Sequence, residues 1–493
     1  MRPATVIVLT VLVVAGISAQ RDPSTARKPN VLLIITDDVG YGDFGSYGAP
    51  DIKTPNVDRL AKEGVRFTDF YANGAVCTPT RAGLISGRYQ QRVGLEQALS
   101  TSAVDLQRGL PVTGRSLPQL LKNNGYATAL VGKWHLGFRT DMGPNVHGFD
   151  YFYGFLSGAV NYFQHVRGDG EPDLYENTTP VKESGYLTDI LTRRSIDFIN
   201  RNAGRPFFLE VAYNAAHWPF QSPHHQPNAF PADRGTIDQA LNQPPGDPTN
   251  PTRKDYAEML ERADQGIGQI LATLDRHGLT RNTFVIFTND NGGEWLSRNA
   301  PLFHRKATLW EGGIRVPAIF RWPDRVPRGK TTAQVGITMD LTATILAATG
   351  TPAPDGARLD GMDLLPLIQN AARPLERTLF WRIAGPARQQ RAVRQGSWKL
   401  LVDGGQFLLF DLSKDIGERN DLAMARPDVV AQLRQRILGW EKDVDSEGKA
   451  RTTATGLPVH DAPVGHGNLS PISEASRSST SRIAARPSGQ TDQ

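Results

Sequence analysis

The chain carries a single cysteine, Cys77, among 493 residues. A disulfide within the chain is therefore excluded, and stability must come from a packed core. It also lacks any long basic block. Its 55 basic and 50 acidic side chains are dispersed, with a formal net charge of +5, which argues against a nucleic-acid partner. There is no internal repeat, and no internal stretch is long and apolar enough to span a bilayer. One apolar run stands near the start. Arg2 precedes Ala4–Ala15, which is apolar apart from Thr5 and Thr10, and small residues follow at Gly16, Ser18 and Ala19. This run is shorter than the roughly 20 residues of a membrane helix. It reads as a signal peptide over residues 1–19, for export to the periplasm or the exterior without a stable membrane anchor.

What remains has the composition of a globular protein. Short runs rich in Val, Leu, Ile and Phe predict buried strands at Asn30–Ile35, Ala127–Val131, Phe207–Tyr213, Thr283–Phe287 and Val316–Phe320. Helical patterns are expected between them, at Asn56–Gly64, Ser116–Asn124, Leu187–Asn200, Tyr256–His277 and Asp340–Thr349. Strands alternating with helices imply an α/β fold with a large, mainly parallel sheet flanked by helices on both faces. Ligands of such sheets bind beyond the carboxyl ends of the strands. Four of the expected strands deliver chemistry there: Asp37-Asp38 after the first, Lys133 and His135 after the second, His217 after the third, and Asp290-Asn291 after the fourth.

After about Asn370 the pattern becomes short strands with turns at Gly396 and Asp403-Gly404-Gly405, then a helix from Pro427 to about Val444. This predicts a small C-terminal antiparallel sheet with a helix. From Ser446 onward no aromatic occurs and Ser, Thr, Gly, Pro and Arg dominate. The expected organisation is a catalytic α/β domain over 28–370, an α+β subdomain over 371–445, and a disordered tail over 446–493.

A lone cysteine is most often a small buried hydrophobe, but Cys77 has informative neighbours. Cys77-Thr78-Pro79-Thr80-Arg81, continuing through Leu84 to Ser86-Gly87-Arg88, resembles the signature of the type I, formylglycine-dependent sulfatases of the alkaline-phosphatase-like superfamily. Thr80 stands where that family usually has serine. Further matches follow in the family's order: Asp37-Asp38, Gly132-Lys133-Trp134-His135-Leu136-Gly137, Thr288-Asn289-Asp290-Asn291-Gly292, and Lys306 through Gly313. The resemblance spans about Pro29 to Ala423 and leans toward arylsulfatases and N-acetylgalactosamine sulfatases.

The resemblance implies hydrolysis of sulfate monoesters on a small sulfated substrate, a carbohydrate or an aryl sulfate. It implies oxidation of Cys77 to formylglycine by a formylglycine-generating enzyme during maturation. Asp37, Asp38, Asp290 and Asn291 offer only oxygen ligands, which suits a hard cation, Ca²⁺ before Mg²⁺, and by resemblance the modified residue at Cys77 is a further ligand of that ion. By resemblance, Arg81 and Lys133 stabilise the modified residue, Lys133 and Lys306 bind sulfate, and His135 is the base that triggers sulfate release. His217, with Lys306, is the expected proton donor to the leaving oxygen. Ser157, Asn161 and His165 lie where this family shapes its substrate pocket. Two alternatives remain at this level: a phosphate or phosphonate ester hydrolase of the same superfamily, and a non-catalytic carbohydrate-binding relative.

Overall fold

The computed structural model describes residues 27–225, 251–294, 296–353, 356, 358–369, 374–385 and 388–455. The expected signal peptide lies outside them. The strands, in chain order, begin with β1 (Asn30–Thr36), β2 (Val65–Phe67), β3 (Phe70–Tyr71) and β4 (Ala127–Lys133). β5 (Tyr151–Phe155), β6 (Tyr175–Glu176), β7 (Thr179–Pro180) and β8 (Phe207–Ala212) follow. Next come β9 (Thr283–Asn289), β10 (Ala318–Arg321), β11 (Lys330–Thr332) and β12 (Gly336–Ile337). The last four are β13 (Thr378–Ala384), β14 (Gln389–Gln395), β15 (Trp398–Asp403) and β16 (Gln406–Asp411). The helices are α1 (Pro55–Glu63), α2 (Cys77–Ser86), α3 (Leu117–Asn123), α4 (Leu187–Asn202) and α5 (Arg253–Arg276), then α6 (Glu311–Ile314), α7 (Asp340–Thr349), α8 (Leu365–Gln369) and α9 (Pro427–Thr455).

Ten strands form the main sheet, in the order β11-β2-β10-β9-β1-β8-β4-β5-β6-β7. Its centre, β9-β1-β8-β4-β5, is parallel throughout. β10 runs antiparallel to both β9 and β2. Every residue of β1, β4, β8 and β9 is buried, because helices cover both faces and each pleat must find an apolar partner. On β1, Leu32 and Ile34 join a core with α1, α4 and α5. Val31, Leu33 and Ile35 join the opposite core with α2, α3 and α7. Each such buried Leu or Ile contributes about 1.5–3 kcal/mol relative to exposure.

The C-terminal sheet, β13-β14-β15-β16, is wholly antiparallel. One face packs on α9 through Val393, Leu400 and Leu409 against Val429, Leu433 and Ile437. The other packs on the catalytic unit through Trp381 and Leu401 against Tyr71 and Ile314. A buried ionic chain crosses this second contact. Lys399 Nζ lies 2.9 Å from Glu311 and 2.8 Å from Glu418, with all three side chains fully buried. Glu311 also accepts from the Tyr71 hydroxyl at 2.7 Å and pairs with Arg315 at 3.1 Å. Helix α9 does not end near Val444 as the sequence suggested but continues to Thr455, so the tail reading fails for its first residues. Glu447, which that reading placed in the tail, and Asp443 both bind the buried guanidinium of Arg92, just downstream of α2, and Asp360 completes its cage.

Candidate active site

All the residues singled out for chemistry meet at the carboxyl edge of the central strands. Asp37 and Asp38 follow β1, Lys133 ends β4 with His135 just beyond, His217 lies in the loop after β8, and Asp290 and Asn291 follow β9. Cys77 enters from the side as the first residue of α2, and Arg81 lies one turn later on the same helix. Helix α2 was not foreseen: its Thr, Pro and Gly content carries little helical signal. Its first turn tolerates Pro79 because the early amides have no intrahelical acceptor. Lys306 completes the set from the loop before α6.

Backbone geometry fixes these groups. Asp38 has φ 58 and His135 has φ 56, left-handed values that side chains other than glycine rarely adopt and that cost of order 1–3 kcal/mol. Gly132, with φ +124, lies so near the Ala212 carbonyl of β8 that an added Cβ would collide with it, so only glycine can precede Lys133. Gly158 leaves similar room for the His135 ring, whose Cε1 would stand 2.7 Å from an added Cβ.

The charges interlock. Lys133 Nζ donates to Asp37 at 2.5 Å. Arg81 donates to Asp290 at 2.9 and 3.3 Å and to the Lys133 carbonyl at 3.1 Å. Lys306 Nζ donates to Asp38 at 2.5 Å and stands 3.3 Å from His217 Nε2. Asn291 Nδ2 donates to Asp38 at 2.7 Å, while its Oδ1 is buried without a partner among the described residues. Burial, together with the neighbouring negative charge of Asp290, pushes Asp37 up to about 8 despite Lys133. Burial acts on Asp38 in the same sense, but Lys306, His217 and Lys133 outweigh it and hold Asp38 below the usual carboxylate range. Burial likewise pushes the Cys77 thiol up to about 12, although Lys133 and Lys306 oppose it. Its Sγ lies 3.8 Å from Asp37 Oδ1.

The two histidines differ in tautomer. A carbonyl oxygen only accepts, so His135 Nε2, 2.9 Å from Leu99 O, carries the hydrogen. His135 Nδ1 is left with a lone pair and no partner among the described residues. His217 donates from Nδ1 to Trp218 O at 2.5 Å, so its lone pair is on Nε2, facing Lys306 and Asp38. Burial and nearby cations hold both imidazoles well below their ordinary value.

A cation would find donors here. Ligand atoms of Asp37, Asp38, Cys77 and His217 lie within 4.8 Å of one another. Asp290 reaches the same spot, its Oδ1 accepting from Asp38 N at 3.4 Å, and the orphaned Asn291 Oδ1 adds an oxygen. The donor chemistry fits a hard divalent ion.

Sequence reasoning missed the bracing of this site. Thr78 donates to the His135 carbonyl at 3.0 Å and accepts from Leu99 N at 3.1 Å; its place beside Cys77 was the available signal. Glu210, buried on β8, is raised to about 7 by burial in spite of Arg81, and nothing in its apolar strand announces it. The expected pocket residues are buried, but Ser157 donates to Ala159 O and Asn161 Oδ1 accepts from the Phe163 and Gln164 amides. These two therefore brace their own loop.

The chain as a whole is similar to known proteins. A family model described as Sulfatase matches residues 29–351, and one described as N-sulphoglucosamine sulphohydrolase, C-terminal, matches residues 301–443. The N-acetylgalactosamine-6-sulfatase of Canis lupus familiaris is 32% identical over 483 residues, covering 87% of this chain and 87% of that protein. Arylsulfatase A of Bos taurus is 31% identical over 487 residues, covering 87% of this chain and 89% of its own. Among solved structures, Ps i-CgsB in complex with k-i-k-neocarrahexaose superposes with a TM-score of 0.73 at 31% identity, covering 88% of this chain and 98% of that one.

Proposed function

The chain belongs to the sulfatase family and hydrolyses sulfate esters, and we propose that it acts on a sulfated carbohydrate through a nucleophile made from Cys77 and with the help of a divalent cation. The observation that carries this reading is the charge balance around Cys77. Asp37, Asp38 and Asp290 are matched one for one by Arg81, Lys133 and Lys306. Once Asp37 is ionised, as ligation of a cation would require, the side chains alone leave no surplus positive charge with which to hold an anionic sulfate. A divalent ion on Asp37, Asp38, Asp290 and Asn291, Ca²⁺ ahead of Mg²⁺, supplies that surplus and a Lewis acid for a sulfate oxygen.

The state of Cys77 supports its modification. A thiol pushed up to about 12 is protonated at neutral pH and is a weak nucleophile. Oxidation to formylglycine supplies a hydrated aldehyde, with one hydroxyl to take the sulfuryl group and a second to expel it. The protein's own side chains then have distinct tasks. Arg81, anchored by Asp290 and the Lys133 carbonyl, orients the residue at position 77. Lys133 and Lys306 hold sulfate oxygens. His135 Nδ1, with its free lone pair, removes the hydroxyl proton whose loss triggers sulfate release. His217 Nε2 and Lys306 Nζ share a proton across 3.3 Å, and that pair protonates the leaving oxygen.

The carbohydrate assignment draws on the relatives, among them the N-acetylgalactosamine-6-sulfatases and the neocarrahexaose complex. The signal-like N-terminus supports export to the periplasm or exterior, and no helix among the described residues is long and apolar enough to cross a membrane. Cys77 is 2% exposed, so a formylglycine-generating enzyme must act before the fold closes. The test is to prepare the protein with and without that maturation system and to measure the aldehyde at position 77 by mass and hydrazide labelling. Turnover should scale with the aldehyde fraction. Full turnover by unmodified Cys77 protein would refute the mechanism.

A further inference from the structure

The loop that brings Lys306 into the site also presents a second cation outward. Arg305 directly precedes Lys306. The loop is fastened by Lys306 N to Gly293 O at 3.1 Å, Ala307 N to Ala75 O at 2.8 Å and Gly312 N to Phe303 O at 2.8 Å. His304 has φ 66 and Ala307 has φ 65, so the backbone turns sharply on both sides of the Arg305-Lys306 pair. Lys306 is thereby turned in toward Asp38, while His304 and Arg305, the two residues before it in the chain, remain exposed.

A second arginine arrives there from the other subdomain. Arg388 stands immediately before β14, in the turn joining it to β13. That hairpin is docked on the catalytic unit: Gln97 Nε2 donates to Ala384 O at 3.4 Å, and Leu309 N donates to Gln390 Oε1 at 2.8 Å. Gln390 in turn donates to Asp403 at 2.6 Å. Arg388 and Arg305 both come close enough to the His304 imidazole to add to the effect of burial and depress its pKa, with Asp403 opposing them.

The two guanidinium groups also lack an ion-pair partner among the described residues, although the Asp403 carboxylate acts on His304 as well. The arginines along the contact between catalytic unit and C-terminal subdomain, Arg92, Arg315, Arg382, Arg391 and Arg394, all have carboxylate partners within 3.2 Å. No carboxylate among the described residues forms an ion pair with Arg305 or Arg388. Like charges without an ion-pair partner repel, and a guanidinium presents a planar fork that matches sulfate and carboxylate oxygens.

We propose that Arg305 and Arg388, on either side of His304, form a second anion subsite at the mouth of the cleft, which takes a sulfate or carboxylate group carried by the saccharide unit next to the one whose ester is cleaved. The subsite rests on the reading of the substrate as a sulfated carbohydrate and narrows it to saccharides with at least two anionic groups.

The test uses the matured wild type, Arg305→Gln, Arg388→Gln and the double variant. Four substrates are compared: an activated aryl sulfate, a monosulfated monosaccharide, a disaccharide with a second sulfate, and one with a uronate carboxylate instead. Each single variant should raise KM for a doubly anionic disaccharide about 3- to 5-fold, and the double variant about 10- to 25-fold, the range of solvent-exposed charged contacts. The value of kcat should stay within about twofold, and KM for the aryl sulfate and the monosaccharide should not move. Added salt should erode the wild-type preference for the disaccharides. Whichever disaccharide shows the larger shift identifies the anion. If wild type cleaves the sugars and the double variant keeps its KM for both disaccharides, the subsite is wrong and the carbohydrate reading stands. An equal loss on all four substrates refutes it as well. If wild type cleaves the aryl sulfate and none of the sugars, the carbohydrate reading falls and the subsite falls with it.

Discussion

Replacing Lys399 with methionine removes one ammonium from between two buried carboxylates, and the structure says how each will respond. Glu311 keeps Tyr71 at 2.7 Å and Arg315 at 3.1 Å. Burial works against its charge, yet Lys399, Arg315 and Arg394 hold it at about 2, so it stays ionised on the remaining partners. Among the described residues Glu418 keeps only the Glu311 amide, at 2.6 Å. Burial already raises it to about 7, with Lys399 opposing and Glu311 adding. Without the lysine, Glu418 takes up a proton at neutral pH. Breaking a buried ion pair costs about 3–5 kcal/mol, and because Glu418 escapes as a neutral acid, the loss at pH 7 should fall near ~3 kcal/mol. The sign with pH follows from proton counting. The folded variant binds a proton at Glu418 that the unfolded chain has released, so its stability falls as pH rises and the deficit grows, by up to about 1.4 kcal/mol per pH unit. The assay is urea unfolding followed by tryptophan fluorescence at pH 6, 7.5 and 9, with Lys399→Met/Glu418→Gln beside it. The double variant should lose the growth with pH. A deficit below about 1 kcal/mol that does not change with pH would refute this account of the buried chain.

Three further outcomes are expected. Asp290→Ala should abolish turnover. Exhaustive chelation should do the same to wild type, with Ca²⁺ restoring wild type and not the variant; undiminished activity after chelation would overturn the cation assignment. His217→Ala should lose far more activity on a sugar sulfate than on a nitrophenyl sulfate, because an alkoxide needs a proton to leave and a nitrophenolate does not; equal losses would remove the proton-donor role. His147, depressed to about 4 by burial, binds a proton in the unfolded chain before it does in the fold. It therefore subtracts stability as pH falls from about 6.5 toward 4, by at most about 3 kcal/mol. His147→Phe should flatten the decline of the melting temperature over that interval, and an unchanged slope would contradict its burial as a neutral imidazole.

The reactive edge was legible in the sequence for a physical reason. β1, β4, β8 and β9 are covered on both faces, so each reads as a largely apolar run, and the polar residues at or just beyond its end mark the rim. Asp37, Lys133 and Asp290 were found in this way, and His217 follows in the loop beyond the third run. α1, α4 and α5 were recognisable because each has one apolar stripe. What escaped had either weak local signal or distant partners. α2 begins Cys-Thr-Pro-Thr, a poor helix by propensity, and is held by packing against the sheet instead. β5, Tyr-Phe-Tyr-Gly-Phe, is short and carries a glycine whose φ of 156 lets it lie close to Gly132 on β4. Continuation of α9 to Thr455 could not be read from a stretch rich in Ser, Thr and Gly. Nor could the meeting of Arg92 with Asp443, for charge pairs at great separation leave no periodic trace.

That last pair also sets a schedule. Arg92 and Asp443 are separated by 351 positions. At a synthesis rate of about 5–20 residues per second, roughly 20–70 s elapse between the emergence of the segment after α2 and that of the helix that locks it. Until then the Arg92 guanidinium lacks two of its three carboxylates, and α2 lacks the clamp behind it. The chain thus completes the clamp behind α2 only when most of its length has been made, and that interval is the one in which an enzyme proposed to modify Cys77 would have to reach it.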